Sequence, residues 1–298
     1  MRKLKNLIIL FPTFGTGGVT NNLINFINFF SKKKINVFLI SDISQKDKNL
    51  FKKKFIKFIN INSVFLPKKS SRIITSILSI FLMIKLFSNF SSRDTLIFSF
   101  QSHILPIIFC KIFSKKIIIR NSEDIFEATK FADNKVFAYF TLFLKFVFYR
   151  FCNGIITNST RSKNSLDKIV KTKTKLIFNP YLSKIYKYKK IKRKNIILSV
   201  GRLCKQKNQS TIIKAFDIFI KQYSNYQLLI IGHGVDYDKL KNLSLSLHLE
   251  KNIKFLGRKT NLEKYYTASK IFTFPSLYEG LPNALIDSIN YNLPCIST

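Results

Sequence analysis

Short, uninterrupted apolar runs alternate with longer helical patterns along this 298-residue chain, and that alternation limits its folds more than any other feature. Strands are predicted at Asn6–Phe11, Asn36–Ser41, Phe55–Asn60, Thr95–Phe98, Lys116–Arg120 and Gly154–Thr157. Helices are predicted near Val19–Lys33, Ser71–Phe87, His103–Phe113, Lys135–Cys152 and Ser162–Lys171. A strand that is apolar at every position has both faces buried, which calls for a parallel sheet covered by helices on its two sides. The stretch Tyr186–Lys194 then interrupts with charge and no apolar period, as a solvated linker does. The alternation restarts with strands at Asn195–Val200, Gln227–Ile231, Asn252–Leu256, Lys270–Phe274 and Pro294–Ser297, and helices at Gln209–Gln222, Tyr237–Leu247 and Asn283–Tyr291. The expected fold class is α/β, with two Rossmann-like doubly wound domains facing a cleft. Their bounds are residues 1–182 and 195–298, joined by a linker at 183–194.

Composition limits the partners more than the fold. The chain carries 51 basic and 15 acidic residues, a formal net charge of +36. Such a field draws polyanions: nucleic acid, an acidic membrane surface or phosphorylated substrates. The joint excess of Lys, Asn, Ile and Phe with no Trp is equally what an A/T-rich genome produces. Cys110, Cys152, Cys204 and Cys295 lie far apart without a C-x-x-C, which disfavours a zinc site or disulfide framework and fits free thiols in a reducing compartment. The basic start runs into only about seven apolar residues and then a Gly-rich turn, so it reads as a first strand of a cytoplasmic protein and not as a signal peptide. Two segments could touch lipid. Ile73–Phe87 is apolar but short of the ~20 residues that span a bilayer, and Val136–Cys152 is aromatic and broken by Lys145 and Arg150. Helices covering a sheet are the preferred reading of both, with peripheral contact to an anionic membrane as the alternative.

Ligands of such sheets bind outside the carboxyl ends of the strands. Three turns of the second domain carry unusual residues there. In Ser199–Asn208, Gly201 allows a tight turn, and Arg202 and Lys207 follow as a planar fork and a point charge suited to a diphosphate. In Ile231–Asp238, a Gly-x-Gly follows the strand, compatible with backbone approaching a phosphate. Asp236 and Asp238 read as the cap and first-turn carboxylates of a helix in preference to metal ligands. In Ser276–Asn283, Pro282 is placed at the start of a helix whose free amides, with Gly280, Leu281 and Asn283, offer an anion or hydroxyl site. Glu279 stands beside them, one of five Glu in the chain. On the residues alone it reads equally as a sugar-hydroxyl acceptor or as an ordinary capping residue.

The order G-R-L-x-x-x-K, I-I-G-x-G, F-L-G-R and F-P-S-x-Y-E-G-L-P-N-A-L-I-D, from about Asn195 to Thr298, resembles the donor domain of family-4 retaining glycosyltransferases with the GT-B fold. Over the first domain the resemblance is looser: Gly15-Thr16-Gly17-Gly18, Gln101-Ser102-His103, Arg120-Asn121-Ser122 and Asn179-Pro180. It implies transfer of a hexose or N-acetylhexosamine from a nucleotide-sugar, a UDP-sugar by family habit, to a glycan or lipid-linked glycan of the cell envelope. Arg202 and Lys207 then match the pair that neutralises the leaving diphosphate. Glu279 matches the carboxylate on the donor sugar, and the amides of Gly280–Asn283 its sugar and phosphate contacts. Gly17 and Gly18 match the loop that approaches the phosphates from the acceptor side. The resemblance implies no metal and no cofactor, with the leaving phosphate assisting the acceptor's deprotonation and charge stabilisation on the diphosphate as the main catalytic contribution.

Three departures accompany it. The family's ribose-clamping Glu is Asp287 here, one methylene shorter, and a misplacement of about 1 Å can cost activity. Many relatives carry a His where Arg120-Asn121-Ser122 stands, which leaves His103 as the first domain's histidine. Relatives also continue past Ser297-Thr298 with a donor-touching loop, a further strand and closing helices. The resemblance therefore implies a C-terminally truncated donor domain that binds donor weakly and turns over poorly. Two rival readings stand beside it. An NAD-dependent oxidoreductase is suggested by Gly15–Gly18 with Asp42 at the second strand's end, but Thr20 fills the third glycine's place and Arg202, Lys207 and Glu279 are left unexplained. A nucleic-acid binder rests on charge alone and predicts basic residues clustered on one surface with exposed aromatics; the Lys residues are instead scattered, so no specific nucleic-acid partner is expected.

Overall fold

In a computed structural model, which describes residues 4–15, 17–51, 54–61, 72–179, 186 and 192–298, the first apolar run forms β1 (Asn6–Thr13). Leu7, Ile9 and Phe11 of β1 join a core on one side of the sheet, and Ile8 and Leu10 a second core on the other. This is the period-two alternation of a strand whose faces are both covered. Each of these fully buried side chains contributes about 1.5–3 kcal/mol.

The chain forms two units, Met1–Tyr181 and Leu182–Thr298. In the first, β1 is followed by α1 (Gly18–Lys32), β2 (Asn36–Asp42), α2 (Gln45–Lys48), β3 (Ile56–Asn60), α3 (Arg72–Phe87) and β4 (Thr95–Ser99). Then come α4 (Ile104–Ile112), β5 (Ile117–Asn121), α5 (Ile125–Lys130), α6 (Lys135–Phe148), β6 (Gly154–Thr157), α7 (Thr160–Asp167) and β7 (Thr174–Leu176). The strands pair in parallel in the order β3-β2-β1-β4-β5-β6-β7. α1 covers one side through Leu23 and Ile27, while α3 and α4 cover the other through Ile80, Met83, Ile107 and Cys110.

The second unit repeats the scheme. It contains β8 (Ile196–Val200), α8 (Gln209–Ile220), β9 (Gln227–Ile231), α9 (Tyr237–Ser246), β10 (Ile253–Phe255), α10 (Glu263–Ala268), β11 (Ile271–Phe274), α11 (Asn283–Asn290) and β12 (Cys295–Ser297). The order is β10-β9-β8-β11-β12, again all parallel. Ile197, Leu228 and Ile230 pack under α8 and α9, whereas Leu198, Leu229 and Ile231 face α10 and α11.

Differences from the sequence reading sit at helix ends and short elements. The helix expected over Lys135–Cys152 stops at Phe148 and tightens into a 3-10 turn at Tyr149–Phe151, where Tyr149 turns into the core. The helix expected from Ser162 begins at Thr160, because Ser159 caps it by accepting the amide of Ser162 at 3.2 Å. α2, α5, α10 and β7 have three to six residues each and no apolar period of their own. Residues 183–185 and 187–191 of the linker reading lie outside the described residues. At its ends the stretch is not a free tether. The Tyr186 amide donates to Asn290 Oδ1 at 3.1 Å, and the Arg193 guanidinium reaches five carbonyls: Tyr266, Thr267, Ser269, Tyr291 and Asn292. Those carbonyls lie at and just beyond the carboxyl ends of α10 and α11, where helix carbonyls lack intrahelical partners.

Candidate functional site

The order of the strands creates the site. From β8 the chain moves outward to β9 and β10, then returns to place β11 on the other flank of β8, with Ile197 opposite Ile271 and Leu198 opposite Phe272. The turn after β8 leads to α8 on one side of the sheet, and the turn after β11 leads to α11 on the other. Two adjacent strands whose helices diverge leave a crevice at their carboxyl ends. The residues singled out in the sequence occupy these two turns.

After β8, Gly201 and Arg202 lead into a 3-10 turn at Lys205–Lys207. Asn208 closes that turn and opens α8 at φ 53°, a left-handed conformation that Asn tolerates better than most residues. Gln209 fixes the loop by donating from its amide to the Arg202 carbonyl at 2.8 Å. The two turns are bonded to each other. The Leu277 amide donates to the Gln206 carbonyl at 2.8 Å, and Gln206 Nε2 donates to the Tyr278 carbonyl at 2.9 Å. Lys207 forms an ion pair with Glu279, its ammonium lying 4.7 Å from the centre of the Phe274 ring. Arg202, whose side chain is exposed, donates to Gln206 Oε1 at 3.2 Å. Arg202, Lys207 and Glu279 are thus brought together through Gln206, which sequence reasoning missed. Its one signal there was a position four residues after Arg202, between two lysines.

The segment beyond Glu279 stays open to new bonds. Pro282 is the residue before α11 and not the first helical one, since its carbonyl accepts the amides of Leu285 and Ile286, both at 3.1 Å. Among the described residues the amides of Gly280, Leu281 and Asn283 enter no turn, loop or cap hydrogen bond with backbone. The Ser276 hydroxyl and Asn283 Oδ1 are buried without a partner. Buried polar atoms left unpaired in a native structure point to a ligand or water. Asp287 lies in the second turn of α11.

The Gly-x-Gly after β9 has a packing purpose. A Cβ on Gly232 would stand 1.7 Å from the Gly201 carbonyl oxygen, and one on Gly234 would stand 2.1 Å from that of Leu203. These glycines let the β9 turn lie against the β8 turn, bonded by Gly201 N to Ile231 O at 3.0 Å and Leu203 N to His233 O at 3.2 Å. His233 is a turn residue. Asp236 stands at the cap position of α9 without a side-chain cap bond, and Asp238 lies in its first turn. Among the described residues no three His, Cys, Asp or Glu side chains converge.

The first unit has the matching reversal between β1 and β4. Gly17, at φ 152°, precedes α1, and Gly18 is its first residue; an added Cβ on Gly17 would meet nothing within 4 Å. Thr16 of this turn and Pro180 of the Asn179-Pro180 pair lie outside the described residues. Behind β4 and β5 sits a buried polar cluster. Arg120 bonds Ser122 Oγ at 2.6 Å and Asn179 Oδ1 at 2.5 Å, with its guanidinium over the Phe100 ring. Burial pushes Arg120 down to about 10. His103 keeps a little exposed surface, but its imidazole is enclosed and 2.9 Å from Ser99 Oγ. Burial first, then the fields of Lys145 and Arg120, push it down to about 3, so it is a neutral ring and a poor base near neutrality.

Comparison with known proteins bears on family and fold. Residues 183–298 match the family described as glycosyl transferases group 1. An uncharacterized glycosyltransferase of Methanocaldococcus jannaschii is 34% identical over 165 residues, 51% of this chain and 41% of its own length. A Campylobacter jejuni enzyme named as an α-1,4-N-acetyl-D-galactosaminyltransferase acting on a diphospho-undecaprenol-linked glycan is 31% identical over 159 residues, 52% of this chain and 44% of its own. The match therefore spans less than half the length of these relatives. In fold, the TarM crystal structure has a TM-score of 0.77 at 12% identity, covering 99% of this chain and 85% of that one. Anabaena HepE in complex with UDP-glucose has 0.73 at 16%, covering 98% and 80%. The two parallel sheets match those of GT-B glycosyltransferases in fold, and the match to the group 1 glycosyl transferases falls on the second unit.

Proposed function

We propose that the second unit binds a nucleoside-diphosphate sugar at the carboxyl ends of β8 and β11, and that the protein transfers its glycosyl group, with retention, to a lipid-linked glycan of envelope polysaccharide synthesis. The observation that carries this reading is the convergence of Arg202, Lys207 and Glu279, through Gln206, on two neighbouring strand ends. Arg202 and Lys207 supply cationic donors to a diphosphate. Glu279, beside the unpartnered Ser276 and Asn283 oxygens, accepts hydroxyl donors of a sugar. UDP is the nucleotide favoured, since HepE was solved with UDP-glucose. A lipid-linked acceptor is favoured by the Campylobacter relative's substrate.

In the reaction, the bond from the sugar's anomeric carbon to the diphosphate oxygen breaks as a bond to the acceptor oxygen forms on the same face. The acceptor's proton passes to the leaving phosphate. No side chain near Glu279 is needed as a base, and the cationic pair stabilises the charge that develops on the diphosphate. Calorimetry with a panel of nucleotide-sugars tests the site, with Arg202→Ala and Glu279→Ala as controls. Both substitutions are expected to weaken binding of the preferred donor at least about tenfold; undiminished binding by both would remove the assignment.

A further inference from the structure

α3, α4 and α6 cover the same side of the first sheet, where Ile80, Met83, Ile107, Cys110 and Leu142 share one core. α6 is unusual among them because none of its residues is buried. Five of its aromatic rings, Phe137, Tyr139, Phe140, Phe143 and Phe146, are between 52% and 62% exposed. Steps of three and four residues place Tyr139, Phe143 and Phe146 along one outward stripe, with Phe140 beside it. Phe81 on α3 and Ile112 on α4 add exposed apolar surface to the same layer. Single exposed rings are ordinary, but a clustered set of this kind marks a docking surface.

Charge selects the occupant. α3, α4 and α6 contain no acidic residue, and Lys85, Lys111 and Lys135 on them are exposed, while Lys145 turns inward towards His103. Next to the aromatic face, Lys111 and Arg150 lie over the ring of Phe151. A second copy of a chain with net charge +36 is repelled from such a surface, whereas an anionic one is drawn to it. A face of Phe and Tyr bordered by Lys and Arg is what seats a helix flat at the boundary between head groups and acyl chains. No helix among the described residues is long and apolar enough to cross a membrane. We propose that the outer face of α6, with its neighbours on α3 and α4, seats on an anionic lipid bilayer, its rings inserted in the interface and its basic side chains at head-group level. This docking is independent of the transferase reading, since it needs neither donor nor acceptor.

The absence of Trp provides a probe without background. Phe140→Trp on α6 is compared with Ile218→Trp on α8, a site 70% exposed in the other unit. Both are mixed with vesicles of phosphatidylglycerol and phosphatidylcholine, and with vesicles of phosphatidylcholine alone. With the anionic vesicles, the indole at position 140 is expected to shift to the blue and to be quenched by acyl-chain-brominated lipid, while the one at 218 does neither. The triple substitution F137S/F140S/F143S is expected to lower sedimentation with anionic vesicles at least about tenfold. Its circular dichroism should be unchanged, because the three rings are exposed. Sedimentation that survives the triple substitution, or an unshifted indole at 140 on bound protein, reduces the interaction to bulk attraction and overturns the proposal. A blue shift that grows with protein concentration in the absence of vesicles overturns it in favour of a second copy.

Discussion

Lys207 and Glu279, 72 positions apart in sequence, pair at the ends of neighbouring parallel strands and hold the two turns of the site together before any ligand arrives. The pair joins the charge suited to a phosphate with the one suited to sugar hydroxyls, so their separate contributions are measurable. Lys207→Met should weaken UDP and UDP-sugar alike, by about 10- to 100-fold, the value of a charge-assisted hydrogen bond of about 1.5–3 kcal/mol. Glu279→Gln should spare UDP, which lacks the transferable glycosyl group, and weaken only the nucleotide-sugar. Calorimetric titration of both ligands into both variants checks this. Equal weakening of UDP and UDP-sugar by Glu279→Gln would show that Glu279 acts only by positioning Lys207.

The glycines of the site should separate by experiment into packing and ligand roles. A methyl group on Gly232 or Gly234 collides with backbone carbonyls at 1.7 and 2.1 Å, and neither backbone segment can retreat without breaking the bonds between the β8 and β9 turns. Gly232→Ala and Gly234→Ala are expected to cost about 3 kcal/mol or more each in urea unfolding. On Gly201 the same methyl group meets only the Lys207 stem at 3.6–3.7 Å, an ordinary contact. Gly201→Ala should therefore unfold within about 1 kcal/mol of the parent while lowering nucleotide affinity. A large stability loss at Gly201 would contradict its assignment to ligand space.

What was legible in the sequence follows from this contrast. The strands were readable because both of their faces are buried, Ile8 and Leu10 on one side of β1 and Leu7 and Ile9 on the other, which makes them apolar at every position. Arg202, Lys207 and Glu279 were readable as residue types at strand ends. Their meeting was implied only by the family resemblance and not by the residues themselves, because it depends on β11 lying beside β8, a strand order that no local pattern encodes. The packing role of Gly232 and Gly234 was hidden for the same reason: the atoms they make way for lie about thirty residues earlier. Gln206 carries no chemical signature, and its importance comes from a carbonyl at Tyr278.

Arg193 gives a second case of a residue whose charge concealed its purpose. It reads as part of a solvated basic run, yet its fork serves carbonyls at the ends of two helices. A cation near a helix carboxyl end also complements the helix dipole. Arg193→Ala is expected to destabilise the second unit by about 2–4 kcal/mol, and Arg193→Lys to recover little, because an ammonium cannot span both groups of carbonyls. Hydrogen exchange of the α10 and α11 amides reads the effect locally. Unchanged protection in the Ala variant would leave Arg193 as surface charge.

The buried imidazole of His103 predicts an acid limb in stability. Its ring faces Ser99, Arg120, Lys145 and Tyr149, and in the folded chain it is held down to about 3 against an ordinary 6.5. Between those values the unfolded chain binds a proton that the folded chain refuses. Stability from this group is therefore complete above about pH 6.5 and falls as pH drops towards 3, by at most about 1.4 kcal/mol per pH unit. His103→Gln keeps a neutral donor and acceptor but cannot titrate, so it should flatten the limb between pH 6.5 and 5, where most carboxylates are still ionised. Urea midpoints of parent and variant at pH 7, 6 and 5 give the comparison. Two profiles that fall in parallel would place the acid sensitivity in other groups and leave His103 free to protonate in the fold.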